Sequence, residues 1–188
     1  MTTHYLEVSV RPDPETSTAQ LLGMLYGRLH LALVQQKRSD IGVSFPQYSQ
    51  NPRSIGNVLR LHSSESSLLS LMQEDWLKGM RDHVRMTAIL PVPDDAAYCV
   101  FRRKQFKTSA ERLRRRRMKR KGETADQAAE AIPATIERKP DLPYVHLRSH
   151  STAQPFCLFI ARGPRQEKPG QGDFNRYGLS QHATVPWF

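Results

Sequence analysis

Two groupings of residue type in this chain could carry chemistry. The first is Arg112-Leu113-Arg114-Arg115-Arg116-Arg117-Met118-Lys119-Arg120-Lys121, with eight cations in ten positions. At about 100° per residue, Arg112, Arg115, Arg116, Lys119 and Arg120 share one helical face, with Arg114 and Lys121 on the other. Leu113 and Met118 make no apolar stripe, and like charges three and four apart oppose the helix. Such a segment calls for an anionic partner. The planar fork of arginine suits phosphate or a guanine edge. The bland alternative is a solvated basic patch. A single short basic helix fits a widened groove near a hairpin loop better than regular A-form RNA, whose major groove is deep and narrow.

The second grouping is a set of proton carriers. A ribonuclease that works without metal needs a group to take the 2′-OH proton. It also needs a group to stabilise the phosphorane or protonate the leaving 5′-oxygen, and contacts that hold the 2′-oxygen in line with phosphorus. Histidine is the usual carrier because it titrates near neutrality. The chain has His4, His30, His62, His83, His146, His150 and His182. His30 lies one position off a Leu22/Leu25/Leu29/Leu33 stripe, and spacing alone favours a half-buried structural histidine there. Ser149-His150-Ser151-Thr152 follows a predicted strand; it reads as a site or, equally, as turn chemistry. The sequence has no G-x-S-x-G elbow, Walker loop, HExxH or carboxylate cluster for magnesium, so no metal or cofactor is expected.

The elements that must position these residues start with an alternating strand, His4 to Val10, stopped by Pro12-Asp13-Pro14. A helix from Ala19 to about Gln36 follows, capped within Thr16-Ser17-Thr18. Short strands fit Ile41 to Phe45 and Asn57 to His62. Ser63-Ser64-Glu65 opens a second helix with Leu68, Leu69 and Met72, and His83 to Val92 reads as a fourth strand. The order β-α-β-β-α-β predicts a ferredoxin-like (RRM-like) α+β domain over residues 1–94. That fold hosts many functions. Pro91-Val92-Pro93-Asp94-Asp95 marks a boundary. Residues 95–188 then predict a smaller α+β domain: a short strand around Tyr98 to Phe101, the basic helix capped at Thr108 or Ser109, and a helix over Thr124 to Ala131. Strands at Tyr144 to Arg148 and Phe156 to Ala161 complete it.

Charge follows the same division. Residues 1–94 hold nine Lys/Arg and nine Asp/Glu, whereas residues 95–188 hold nineteen and nine, so the second half carries the whole net charge of +10. A concentrated excess is the footprint of a polyanion-binding surface. Cys99 and Cys157 lack neighbouring Cys or paired His and read as two small buried hydrophobes. Without an apolar run of about 20 residues or a leader-like N-terminus, the expectation is a cytoplasmic protein with no membrane partner.

The segments HYLEVSVRPDPE, GRLHLALV, IGVSFP, ERLRRRRMKRK, LPYVHLRSHSTAQPF, RYGLS and VPWF, in this order, resemble the CRISPR repeat-RNA processing endoribonuclease of the type I-F system. The resemblance runs essentially end to end. It implies a ferredoxin-like domain followed by a domain bearing the arginine-rich helix. It also implies metal-independent cutting of precursor CRISPR RNA at the 3′ base of each repeat hairpin, leaving a 2′,3′-cyclic phosphate or 3′-phosphate and a 5′-OH. The enzyme would stay on its product hairpin and join the other subunits of the type I-F surveillance complex; when alone it is expected to be a monomer.

By the same resemblance His30 matches the active-site histidine, Ser149 the serine that positions the ribose 2′-OH, and Tyr177 the tyrosine that orients the histidine. Ser151 is a phosphate or ribose contact, and Phe156 matches the aromatic that stacks under the terminal base pair. Arg103 and Gln105 match linker residues that read base edges, consistent with the favoured Arg–guanine and Gln–adenine pairings. Lys107, Arg112, Arg115, Arg116, Lys119 and Arg120 complete the implied RNA-binding set. Lys119 stands where arginine is more familiar, which replaces a bidentate contact with a point charge. The rival classes are a non-catalytic RNA hairpin-binding subunit and a DNA-binding regulator, which a 2′-deoxy substitution at the cut site separates from the nuclease.

Overall fold

The computed structural model describes residues 2–106, 110–133 and 141–188. Lys107 and the expected cap at Thr108 or Ser109 lie outside the described residues. By compactness the chain forms two units, Met1–Lys104 with Leu142–Phe188, and Gln105–Asp141. This division differs from a cut at residue 94, because strands from both ends of the sequence share one apolar core in the first unit.

The first unit opens with β1 (His4–Val10), whose Leu6, Val8 and Val10 are buried on alternate positions. Next comes α1 (Thr18–Gln35), with Ser17 as N-cap in a reciprocal capping box with Gln20. Its Leu21, Leu22, Leu25, Tyr26, Leu29 and Leu33 are buried. β2 (Gly42–Ser44) and a small hairpin, β3 (Ser49–Gln50) with β4 (Arg53–Ser54), precede β5 (Val58–Ser63). α2 (Glu65–Gln73) is capped by Ser64.

The predicted strand His83 to Val92 is two strands, β6 (Val84–Met86) and β7 (Leu90–Pro91), with His83 closing a short 3-10 turn. Thr87 explains the break. Its hydroxyl accepts the Glu7 N–H at 3.0 Å and so takes over a ladder bond that a strand carbonyl would otherwise make. The sheet order is β2-β5-β1-β6, antiparallel throughout, with β7 also on β1.

β8 (Ala97–Cys99) and β9 (Phe101–Lys104) close the first stretch of this unit. The second unit holds two helices, α3 (Ala110–Lys121) and α4 (Ala125–Ala131). The chain then returns to the first unit with β10 (Tyr144–Arg148), β11 (Pro155–Arg162) and β12 (Val185–Trp187). β12 pairs with β8, and β10-β11-β9 form a three-stranded antiparallel sheet. The result among the described residues is a mixed α+β structure with four α-helices and several antiparallel sheets. Cys99 is buried as expected, but Cys157 is exposed, on the open face of β11 with its Sγ 3.6 Å from His146 Nδ1.

One contact sets the geometry of the site. A Cβ built on Gly23 would sit 2.2 Å from the His146 carbonyl oxygen, whereas one on Gly27 would lie 4.0 Å from Leu147. β10 therefore lies directly on the backbone of α1 at Gly23. A glycine inside a helix costs roughly 1 kcal/mol relative to alanine, and here it permits that close approach.

Candidate active site

α1 and the β10–β11 hairpin wall a cleft of about 1200 Å³ in the first unit. His30, Ser149, Ser151, Phe156 and Tyr177 all line it, so residues up to 147 positions apart in sequence meet in one cavity. The lining includes Arg28 and Arg148 and the imidazoles of His30, His146 and His150, and no Asp or Glu among the described residues. The cleft is built to accept anions.

His30 is held on both sides. Its Nδ1 donates to the Arg176 carbonyl oxygen at 2.7 Å. A carbonyl only accepts, so Nδ1 carries a proton, and Nε2 is the ring atom left to exchange one. The ring stacks on Tyr177 with centroids 4.0 Å apart and planes 3° from parallel. Position and tautomer of the imidazole are both fixed before any ligand arrives.

The partner loop is fixed in turn through three consecutive carbonyls. Arg176 accepts from His30, Tyr177 accepts from the Tyr26 hydroxyl at 2.7 Å, and Gly178 accepts from the Val43 N–H at 2.8 Å. Within the loop the Asn175 side-chain oxygen accepts from the N–H groups of Tyr177 and Leu179, at 2.8 and 3.3 Å. Gly178 has φ +68°, and a Cβ there would lie 2.3 Å from Val43, so both its backbone angle and its packing require glycine. The Arg176 guanidinium is tied to the Arg38 carbonyl.

Burial pushes the Tyr177 hydroxyl above its ordinary pKa, partly opposed by the Arg103 guanidinium, which lies 5.5 Å from the ring centroid. Tyr177 is therefore a neutral phenol at physiological pH and is no base. Tyr26, fully buried, is pushed well up by the same cause.

Ser149 begins the β10–β11 turn. Its N–H donates to Gln154 O at 2.9 Å, and its Oγ accepts from Thr152 N–H and lies 3.3 Å from Ser151 Oγ. Turn chemistry and a role at the cleft coexist, because these weak local bonds hold two hydroxyls at its rim. Phe156, opposite Leu147 in the ladder, is half-buried.

In the second unit, Arg112, Arg115, Arg116, Lys119 and Arg120 are all exposed, the same set that helical spacing predicts for one face. The opposite side is used internally, with α4 as the neighbour that the sequence did not reveal. Arg114 donates to the Ile132 carbonyl at 2.7 Å, at the negative end of α4, and Arg117 pairs with Glu123. That pair lowers the Glu123 carboxyl below its ordinary range and raises Arg117. These contacts offset the charge crowding that opposes α3. Gln105 is exposed at the start of this unit.

Sequence spacing did not single out Gly23, Arg28, Asn175, Arg176 or Gly178. The readable signals were two glycines four apart inside a helix and the turn signature Asn175-Arg176-Tyr177-Gly178. Among the described residues no group of three His, Cys, Asp or Glu is placed to hold a metal ion, and no helix is long and apolar enough to cross a membrane.

Residues 5–188 match the family model described as CRISPR-associated protein (Cas_Csy4). The chain is 45% identical over 185 residues to a protein of Pseudomonas aeruginosa (strain UCBPP-PA14) named CRISPR-associated endonuclease Cas6/Csy4. It is 40% identical over 185 residues to a protein of the same name from Escherichia coli (strain UTI89 / UPEC). Each comparison covers 98% of this chain and 99% of the relative.

Proposed function

The chain belongs to the Cas_Csy4 family of CRISPR-associated proteins and is an endonuclease, and from that premise we propose that it matures the guide RNA of a type I-F system. Its substrate is precursor CRISPR RNA, cut at the 3′ base of the repeat stem-loop without a metal ion. The observation that carries this reading is the doubly held His30 imidazole, with Nε2 facing away from the Arg176 carbonyl, in a cleft that holds two serine hydroxyls and, among the described residues, no carboxylate. A cleft without carboxylates is poorly suited to magnesium and well suited to a phosphate.

Ser149 fixes the ribose 2′-OH and Ser151 contacts the phosphate or ribose. His30 Nε2 takes the 2′-OH proton as the 2′-oxygen attacks phosphorus in line, and the bond to the 5′-oxygen breaks. The imidazolium so formed still donates through Nδ1 to the Arg176 carbonyl, which steadies its charge. Net, the proton passes from the 2′-oxygen through His30 to the 5′-oxygen, leaving a 2′,3′-cyclic phosphate and a 5′-OH. Tyr177 orients the ring as a positioning residue, and Phe156 stacks under the last base pair, an interaction of about 1–3 kcal/mol.

Binding comes from Arg103, Gln105 and Lys107 at base edges and phosphates, and from Arg112, Arg115, Arg116, Lys119 and Arg120 in the groove. The sheet order β2-β5-β1-β6 with two helices supports a ferredoxin-like reading of residues 1–94, followed by an RNA-binding portion over 95–188. The enzyme keeps its product hairpin and enters the surveillance complex with the other subunits; alone it is a cytoplasmic monomer. The test is end-group analysis of the RNA after cutting. A 5′ fragment that resists 3′ ligation until its cyclic phosphate is opened and the resulting monophosphate removed supports the mechanism, and a free 3′-OH directly after cutting contradicts it.

A further inference from the structure

The turn that holds His30 has two carbonyls that must be satisfied from outside it. Residues Asn175 to Gly178 form a β-turn, closed by the Gly178 N–H on the Asn175 carbonyl at 2.8 Å. Asparagine first and glycine last suit such a turn. The closing bond uses neither central carbonyl, so those of Arg176 and Tyr177 need donors from elsewhere. α1 supplies both. His30 Nδ1 donates to the first at 2.7 Å, and the Tyr26 hydroxyl donates to the second at 2.7 Å. Tyr26 and His30 are four residues apart and so stand one above the other on a single face of α1. Tyr26 is fully buried, so it touches no bound RNA. Its ring meets Phe45 and Tyr177 edge-on, with centroids 5.6 and 6.2 Å away. Packing places the ring, and the hydroxyl is left to hold the turn.

We propose that Tyr26 is a positioning residue for RNA cutting, whose hydroxyl pins the Tyr177 carbonyl and so keeps the Tyr177 ring flat on His30. The inference rests on the reading of His30 as the proton carrier of a hairpin endoribonuclease. Three successive carbonyls, those of Arg176, Tyr177 and Gly178, tie the turn to α1 and β2. The one that Tyr26 holds belongs to the residue whose ring stacks on the imidazole. Without the hydroxyl that carbonyl loses its donor, and the turn shifts to regain one. The ring moves with its own backbone, and the imidazole that rests on it moves too. In-line attack tolerates little of this, since a misplacement of about 1 Å costs on the order of a hundredfold in rate.

The test is Tyr26→Phe in the full-length protein, which removes one oxygen and leaves the packed ring. Single-turnover cutting at saturating protein should slow about tenfold, as for a small displacement of the ring, while affinity for a hairpin made uncleavable by a 2′-deoxy residue at the cut site changes less than about twofold. Tyr48→Phe is the matched control. It also deletes a buried hydroxyl that donates to a carbonyl, that of Ile160 at 3.1 Å, and it should lower the melting temperature without slowing cutting. The double variant Tyr26→Phe with Asn175→Ala should cut about as slowly as the slower single variant, because both changes loosen one turn. An unchanged rate in Tyr26→Phe, a loss of affinity equal to its loss of rate, an equal slowing in Tyr48→Phe, or multiplied losses in the double variant overturns the inference while leaving the nuclease reading intact. Failure of the wild-type protein to cut the all-ribose hairpin, or cutting by His30→Ala at the wild-type rate, overturns that reading and this inference with it.

Discussion

The His30 imidazole donates through Nδ1 to the carbonyl oxygen of Arg176 at 2.7 Å, across 146 residues of sequence. This bond, with the Tyr177 stack, leaves Nε2 as the ring atom available to a ligand in the cleft, which supports the proposed catalytic reading of His30 over a packing role. If His30 moves the proton, His30→Ala should lower the single-turnover cutting rate about 10²–10⁴-fold. Hairpin affinity, measured with uncleavable RNA, should change less than threefold. Equal loss of both would return His30 to a packing role.

The turn that supplies the Arg176 carbonyl depends on Asn175. Asn175→Ala removes the acceptor for two backbone N–H groups and should slow cutting at least about tenfold, since a displaced ring loses alignment. Asn175→Asp keeps the acceptor oxygen and should recover most of the rate. No recovery with aspartate would mean that the turn does not act through this hydrogen bond.

Gly23 and Gly27 separate close approach from ordinary contact. Gly23→Ala drives a methyl into the His146 carbonyl and must part β10 from α1, so both the melting temperature and the cutting rate should fall. Gly27→Ala meets a side-chain carbon at 4.0 Å and gains helix propensity of about 1 kcal/mol, so its melting temperature should hold or rise. Thermal melts of the two variants side by side decide this.

The basic helix should act on binding alone. Arg116→Ala and Arg120→Ala should each weaken hairpin affinity and reduce the slope of log affinity against log salt by about 0.7–0.9. The cutting rate at saturating protein should be unaffected. Titrations at several salt concentrations read the slope directly.

Acid stability has a specific source in His62. It is fully buried, its Nε2 lies 2.8 Å from Ser44 Oγ, and its Nδ1 has no hydrogen-bond partner. Burial, aided by Arg60, pushes its pKa well below the ordinary value. The unfolded chain therefore binds the proton more readily than the folded one. The contribution of His62 to stability is whole above about pH 6.5 and is lost as pH falls below it, by at most about 1.4 kcal/mol per pH unit. Urea midpoints at pH 7.5 and 5.5 should show a smaller acid loss in His62→Gln than in the wild-type protein.

Local features of the fold were legible because they are local. The alternation of Leu6, Val8 and Val10, the leucine spacing of α1 and the caps at Ser17, Ser64 and Thr124 follow from neighbours a few positions apart. The division of the last strand was not, because Thr87 bonds to Glu7, 80 residues away. The meeting of His30 with the Ser149 turn and Tyr177 was not legible from spacing either. It rests on the absence of a side chain at Gly23 and on three backbone carbonyls, which leave no periodic pattern. Resemblance to known proteins, not periodicity, singled out these residues. The basic face of α3 was readable, but its support by α4 was not, since it uses one carbonyl and one acidic residue beyond the helix.

The central claim is that the chain cuts RNA through the 2′-hydroxyl without a metal ion. The most direct measurement incubates the protein in EDTA with a labelled repeat hairpin from its own locus, and with the same RNA carrying one 2′-deoxy residue at the cut site. The account predicts a single cut at the 3′ base of the stem in the first RNA, none in the second, and tight binding of both. Cutting of the deoxy RNA, or no cutting until magnesium is added, would contradict it.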